Sequence, residues 1–282
     1  MTTADPDEAA EADRRFRRWM YGNLDHAAGH FGLTVTGPPV FGWRDRSISS
    51  AADSPDGIRW LRVVSEQTEW AHGRGWTGNT DANVLTGIPK PQVLRVHEWA
   101  EGDWRRQRAE MMTYVSGTPC SPTDTAPSGL DPSGIWWKGL QQAVRRLAAT
   151  ATDRINADQE KVDQRVRAAF GEEVVIRIRN WETVHGDLHW ANLLTPLSVL
   201  DWELWGKGPL GTDAATLYCY SLTSPALAQK VRDHFPVLAT SDGRRAQLYV
   251  AARLLHRSGL GDHPHLTRPL RSLAQQLLTS MA

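Results

Sequence analysis

Thr183-Val-His185-Gly-Asp187-Leu-His189-Trp-Ala-Asn192-Leu-Leu-Thr-Pro196-Leu-Ser-Val-Leu-Asp201-Trp-Glu203 is the stretch whose reading decides the fold. Asp187 and Asn192 lie five apart on a tight loop after a strand at Val184, so both side chains face one cavity. Pro196 interrupts the apolar run that follows, which makes Leu193 to Leu200 a short hairpin and returns Asp201 to the side of Asn192. Two acids and an amide brought together in this way suit phosphoryl transfer, where the work is mostly positioning and charge neutralisation around nucleotide oxygens. Hard oxygen ligands suit Mg²⁺, which takes one or two carboxylates plus substrate phosphates.

At these residues the chain resembles the aminoglycoside phosphotransferase family, a branch of the protein-kinase-like fold. The family's signature is a His-Gly-Asp-x-His-x-x-Asn loop followed by Asp-Trp-Glu, and His185, Gly186, Asp187, His189, Asn192, Asp201 and Glu203 fall in register with it. The resemblance implies that Asp187 is the catalytic base, that Asn192 and Asp201 are Mg²⁺ ligands, and that His185 props the loop, with His189 as further support. It also gives Asp213 the role of bracing the loop. The turn between Asn192 and Asp201 is short, with eight intervening residues.

Other readings of the same residues are weaker. A single loop Asp is most often a cap or a turn former. His185 and His189 are spaced for a zinc site on a helix, but Gly186 follows the first and no third nitrogen or sulfur ligand stands nearby. Gly186-Asp187-Leu188-His189 also suggests a metallophosphoesterase, yet the further Asn-His-Asp ligand run is missing.

A chain of 282 residues has room for a sizeable core and predicts two lobes. Lys plus Arg balances Asp plus Glu, 32 against 32, so no long-range field draws it to nucleic acid or to an acidic membrane. Cys120 and Cys219 have no metal or redox spacing, which favours a reduced, cytoplasmic setting. The first ten residues lack the order of a signal peptide, and no run approaches the roughly 20 apolar residues that span a bilayer. Of the 13 tryptophans, most are expected in the core and some at an acceptor site.

Residues 1–5 are expected to fray. Phe16, Trp19, Met20, Leu24, Ala27, Ala28 and Phe31 then recur at helical steps, ending near Gly29 to Gly32. Thr34 to Glu66 reads as three strands, with a hairpin turn at Ser54-Pro55-Asp56-Gly57. In a kinase-like small lobe a loop after the first strand covers the phosphates and a third-strand lysine touches them. The loop candidate is Gly42 to Ser47, and Arg62 stands where the lysine would be, a substitution that is not conservative. Glu69 is preferred over Glu66 and Asp81 as its acidic partner. Gly73 to Gly78 matches G-x-G-x-x-G but has neither the strand before it nor the helix after it that a dinucleotide site needs, and reads as a flexible loop.

Val93 to Trp99 and Arg108 to Val115 read as two further strands, and Met111 to Gly117 resembles the family's hinge. Backbone groups of Thr113, Tyr114 and Val115 would there meet the purine edge. The Pro- and Ser-rich residues 118–133 follow, so the expected division is 1–117 for the nucleotide lobe and 118–282 for the helical lobe. Leu140 to Phe170 carries a helical stripe of one long helix or two stacked ones. Thr212 or Asp213 is expected to cap the next helix, with others from Pro225, over Arg244 to Arg257 and over Leu266 to Leu278. Asp213, Asp233 and Asp262 are candidates to bind a cationic acceptor.

The expected architecture is α+β and bilobal, with a small antiparallel β lobe and a larger helical one. The expected activity is transfer of the γ-phosphate of ATP or GTP to a hydroxyl of a small molecule, as in antibiotic-phosphorylating relatives. Two alternatives stand beside it, a kinase of Ser or Thr in a peptide and a catalytically silent binding protein. Glu203, Trp190 and Trp205 are the expected acceptor-side residues.

Overall fold

The computed structural model describes residues 6–281, and the expected fraying of residues 1–5 lies outside them. Two compact units emerge. The first takes in the chain up to Asn83 together with Pro91–Val115, and the second takes in Val84–Lys90 together with the chain from Ser116 on.

In the first unit, helix α1 (Pro6–Phe31) turns Met20, Leu24, Ala27, Ala28 and Phe31 inward, the face its periodicity predicts. It ends in a Schellman motif: Gly32 takes φ +68°, the Leu33 N–H reaches Ala28 O at 2.9 Å and the Gly32 N–H reaches Gly29 O. Strands β1 (Thr34–Val35), β2 (Val40–Phe41), β3 (Ser47–Ser54) and β4 (Gly57–Gln67) follow, one more than expected, because Gly37-Pro38-Pro39 splits the first. The β3–β4 hairpin pairs Ser54 with Gly57 across Pro55-Asp56, as the turn residues predict. After helix α2 (Gly73–Asp81) come β5 (Val93–Glu101) and β6 (Arg105–Thr113). The antiparallel sheet runs β1-β3-β4-β6-β5, with β2 beside β3.

Side chains alternate across this sheet. Leu61 and Val63 of β4 and Ala109 of β6 join the core under α1. Arg62 and Glu110 are direct partners in the β4–β6 register and point to the opposite face, where α2 packs. The G-x-G-x-x-G stretch is therefore the body of a helix and not the flexible loop expected, and Asn79 to Asp81 is its last turn.

The second unit begins, after the 84–90 segment, with β7 (Thr118–Pro119). Two helices follow, α3 (Gly134–Ala148), capped by Ser133, and α4 (Gln159–Phe170), capped by Asp158. The stripe that could have been one helix is thus broken over residues 149–158. Strand β8 (Trp181–Val184) pairs antiparallel with β10 (Gly206–Pro209), and β9 (Leu194–Thr195) pairs with β7. Helices α5 (Thr212–Cys219), α6 (Pro225–His234), α7 (Ser241–Gly259) and α8 (Thr267–Met281) complete it. Gly211 caps α5, not Thr212 or Asp213. Among the described residues no helix is long and apolar enough to cross a membrane.

Candidate active site

Strand β8 delivers the chain to the centre of the second unit, and the loop turns at Gly186 with φ +85°. A Cβ there would lie 2.8 Å from Leu204 O and 2.2 Å from the Asn156 amide, so only glycine fits. Asp213, from the first turn of α5, accepts the backbone N–H groups of His185 and Gly186 at 2.8 and 3.0 Å. His185 Nε2 meets Leu200 O at 2.9 Å, which ties the loop to the chain just before Asp201. Asn192 Nδ2 donates to Asp187 O at 3.1 Å. That bond, with the contact of the same Nδ2 to His189 Nε2 at 3.1 Å, fixes the amide against the loop.

Between Asn192 and Asp201 the chain folds back as a hairpin. Leu194 N–H bonds Ser198 O, Leu193 bridges Val199, Leu200 N–H bonds Asn192 O at 2.8 Å, and Thr195-Pro196 is cis. Asp201 then takes the left-handed conformation, φ +57°, uncommon outside glycine and frequent at functional positions. The charge of Asp201 adds, after those of Asp187 and Asp124, to what holds His189 above its ordinary value.

Both oxygens of Asp187 face cations: Oδ1 lies 3.7 Å from Arg253 of α7 and Oδ2 lies 3.5 Å from His189 Nε2. Burial alone would raise this carboxyl, but the charge and contact of His189, then Arg253 and Arg257, outweigh it and hold Asp187 well below the usual carboxylate range. His189 moves the opposite way. Burial pulls it down, while Asp187 and then Asp124 and Asp201 push it above its ordinary value. His185 is driven down to about 4 by burial, against the charge of Asp187. Asp213 is driven up to about 7 by burial, against its two backbone hydrogen bonds.

Sequence reasoning missed a second ring of polar groups in the same unit. Asp124, in the loop before α3, lies 3.6 Å from His189 Nε2, accepts or shares a proton with His263 Nε2 at 2.9 Å, and lies 3.6 Å from Arg257. Tyr220 donates to it at 3.4 Å. Arg253 also donates to Gly186 O and to Thr216 Oγ, so α5 and α7 grip the loop by its N–H groups and by its carbonyl. None of these residues stands at a signature spacing from Asp187. Asp124 hides in a Ser/Thr/Pro loop, and Arg253 and Arg257 look like the charged face of an ordinary helix.

Among the described residues no three His, Cys, Asp or Glu side chains gather into a metal-binding group. The donors on hand are one carboxylate, Asp201, and one amide oxygen, Asn192. That set is incomplete for zinc and fits Mg²⁺, which fills its remaining positions with water and phosphate oxygens.

The first unit carries the residues expected to meet a nucleotide. Arg62 pairs with Glu110 at 3.5 Å, whereas Glu69 accepts the indole N–H of Trp70, so the preference for Glu69 is corrected. This carboxylate comes from the cross-strand neighbour in the β4–β6 register. Glu110, 1 % exposed, also accepts from Asn79 and Arg108. Ser47 opens β3, and its O accepts the Gly42 N–H to close the Gly42–Ser47 turn. Thr113 is corrected as a purine-edge donor, because its N–H is bonded to Gln92 O at 2.9 Å. Tyr114 and Val115 follow beyond the end of β6.

Acceptor-side expectations fare less well. Trp190 is fully buried, donates to Ser221 and stacks on Trp136, and Trp205 is buried with Arg154 over its ring. Both are core residues, as their large apolar area favours, and neither lines a groove. Asp213 is committed to the loop and Asp262 pairs with Arg257, whereas Asp233 is exposed and accepts only from Gln229 among the hydrogen bonds of its own helix. Glu203 is half-buried, and its backbone carbonyl accepts from Arg154.

Comparison with known proteins joins these observations to a family. The model of the phosphotransferase enzyme family matches residues 123–249, the span from the loop of Asp124 into the first half of α7. The family resemblance holds. Over those residues the chain is similar to the phosphotransferase enzyme family. No curated protein matches this phosphotransferase-like sequence. Among solved structures it is similar to a spectinomycin phosphotransferase in complex with ADP and spectinomycin, at 11 % identity and a TM-score of 0.53, covering 83 % of this chain and 84 % of that one. It is also similar to a Plasmodium vivax ethanolamine kinase, at 10 % identity and a TM-score of 0.48, covering 88 % and 82 % of the two chains. The kinase-like α+β fold expected from the loop is thereby found.

Proposed function

We propose that this phosphotransferase moves the γ-phosphate of ATP or GTP to a hydroxyl of a small molecule, with Asp187 as the residue that orients the acceptor. The observation that carries the reading is the hairpin that returns Asp201 to the loop of Asp187 and Asn192, with Asp213 bracing that loop by two hydrogen bonds. Asp187 would hold the acceptor O–H and take its proton as the oxygen bonds to the γ-phosphorus and the nucleoside diphosphate leaves. Its depressed pKa keeps it a carboxylate, so its first task is alignment, and the proton moves only as the new P–O bond forms. Asn192 and Asp201 would hold Mg²⁺, which when bound neutralises charge on the phosphate oxygens. Arg62, steadied by Glu110, would meet a donor phosphate, and backbone groups at Tyr114 and Val115 the base.

A small acceptor is supported by the likeness in fold to the spectinomycin phosphotransferase. The peptide reading loses its support with the burial of Trp190 and Trp205. Asp187→Asn tests the assignment. It should lower kcat by about 10² to 10⁴-fold while calorimetry finds Mg-ATP binding unchanged. Turnover equal to the parent protein would refute the role of Asp187.

A further inference from the structure

Outside the loop of Asp187, the second unit has a groove of about 280 Å³ where α4, α7 and the start of α8 meet. Ala168, Ala169 and Ala252 line it with little bulk, and its polar lining is Arg165, His256, Ser258, Thr267 and Arg271. No carboxylate lines it. The acids of α4, Glu160 and Asp163, line a separate groove with Arg167 and Glu172. Among the described residues the side chains of Arg165, His256 and Arg271 make no hydrogen bond or ion pair. Thr267 is the first residue of the 15-residue helix α8, and since its N–H is bonded to Pro264 O of the preceding turn it brings its hydroxyl to the groove. The opposing end of α7 is blunted, since Arg257 O and Ser258 O are already taken by the N–H groups of Leu260, Gly261 and Asp262. The local field is positive beyond the groove too: after burial, the charges of Arg253 and Arg165 are what hold Lys161 below its ordinary value.

We infer that this groove is a binding site for a phosphate-sized oxyanion, inorganic or as a phosphomonoester, held by Arg165 and Arg271 with His256, Ser258 and Thr267 completing the donors. Two guanidinium groups on separate helices offer forked donors to one tetrahedral anion, the geometry for which arginine is suited. The volume is below that of a drug-sized pocket and ample for a phosphate with a small substituent. The inference does not depend on the proposed activity. Helix α7 belongs to both places, with Ala252 and His256 on the groove and Arg253 and Arg257 toward Asp187 and Asp124.

Calorimetric titration of the whole chain with inorganic phosphate, and separately with glycerol 3-phosphate, tests this at fixed ionic strength, with chloride replaced as phosphate is added. A saturable isotherm is expected from at least one of the two. The double variant Arg165→Gln/Arg271→Gln should weaken it by tenfold or more, about the loss of one charge-assisted hydrogen bond. Arg165→Lys/Arg271→Lys should weaken it less, and Asp201→Asn should leave it unchanged, which separates this groove from a donor-phosphate site. Thermal melting shows that each variant is folded. Absence of saturable heat from both ligands would overturn the inference. So would an isotherm untouched by the glutamine pair, or one abolished by Asp201→Asn.

Discussion

His185 and Asp213 are both buried within the grip that holds the catalytic loop, and burial shifts their protonation in opposite senses. Free in an unfolded chain, His185 titrates near 6.5; folded, it titrates at about 4. Between these values the unfolded chain binds more protons, so this group's stabilising contribution is present above 6.5 and lost as pH falls toward 4. Asp213 runs from 3.8 unfolded to about 7 folded, so its contribution is present at low pH and lost as pH rises through 7. Each excursion is worth roughly 3 to 4 kcal/mol, and between pH 4 and 6.5 the two slopes oppose one another. The parent protein should therefore show little net pH dependence from this pair. Urea unfolding of His185→Gln should show stability falling as pH rises from 4 to 7, and Asp213→Asn should show stability rising over the same range. Parallel pH profiles for the two variants would contradict the assignment. At this scale the site was legible for a physical reason: Asp187, Asn192 and Asp201 are tied to one another by short-range backbone geometry, and short-range geometry leaves fixed spacings. Asp124, Arg253, Arg257 and His263 reach the same place through the packing of α7 against α5, which leaves none.

Helix α2 shows how tertiary contacts decide an element against its composition. Three glycines in Gly73 to Gly78 each lower helix propensity by about 1 kcal/mol relative to alanine, and on that basis the stretch reads as a loop. It is helical because one face docks on a charged ladder: Trp76 donates to Glu98, Asn79 donates to Glu110, and Arg108 donates to Thr80. Glu110 is the centre of that ladder, with Arg62, Arg108 and Asn79 all directed at one buried carboxylate. Glu110→Gln should cost about 3 to 5 kcal/mol in chemical denaturation, the loss expected when one partner of a buried ion pair is neutralised. Hydrogen exchange should locate the loosening in α2 as well as in β4 and β6. A variant with parent-like exchange in α2 would show that the helix holds by its apolar face alone. The hairpin of β3 and β4 needed no such help. Its turn chemistry and its alternation agree with the tertiary result, so the sequence reading and the structure coincide there.

Across the whole chain, charge was the feature read most simply, and it has a consequence of its own. Acidic and basic side chains balance at 32 each and the isoelectric point is about 7.2, so near neutral pH no net repulsion keeps two copies apart. The charges are not idle, however, because many are consumed in pairs such as Arg17–Asp45 and Arg106–Glu98, and in the buried groups around Glu110 and Asp187. What remains at the surface includes Trp43, Trp70 and Trp104, each more than half exposed, which lie in the first unit. Weak apolar attraction there meets no electrostatic opposition near pH 7.2. Light scattering across pH 6 to 9 at low salt should therefore show greatest self-association near the isoelectric point and dispersal on either side. Replacing Trp70 and Trp104 by glutamate adds two negative charges and removes two exposed rings, so the maximum should shrink and move to lower pH. If the maximum shrinks without moving, the rings alone drive association. If it moves without shrinking, the charge balance alone does, and the exposed tryptophans are incidental to solubility.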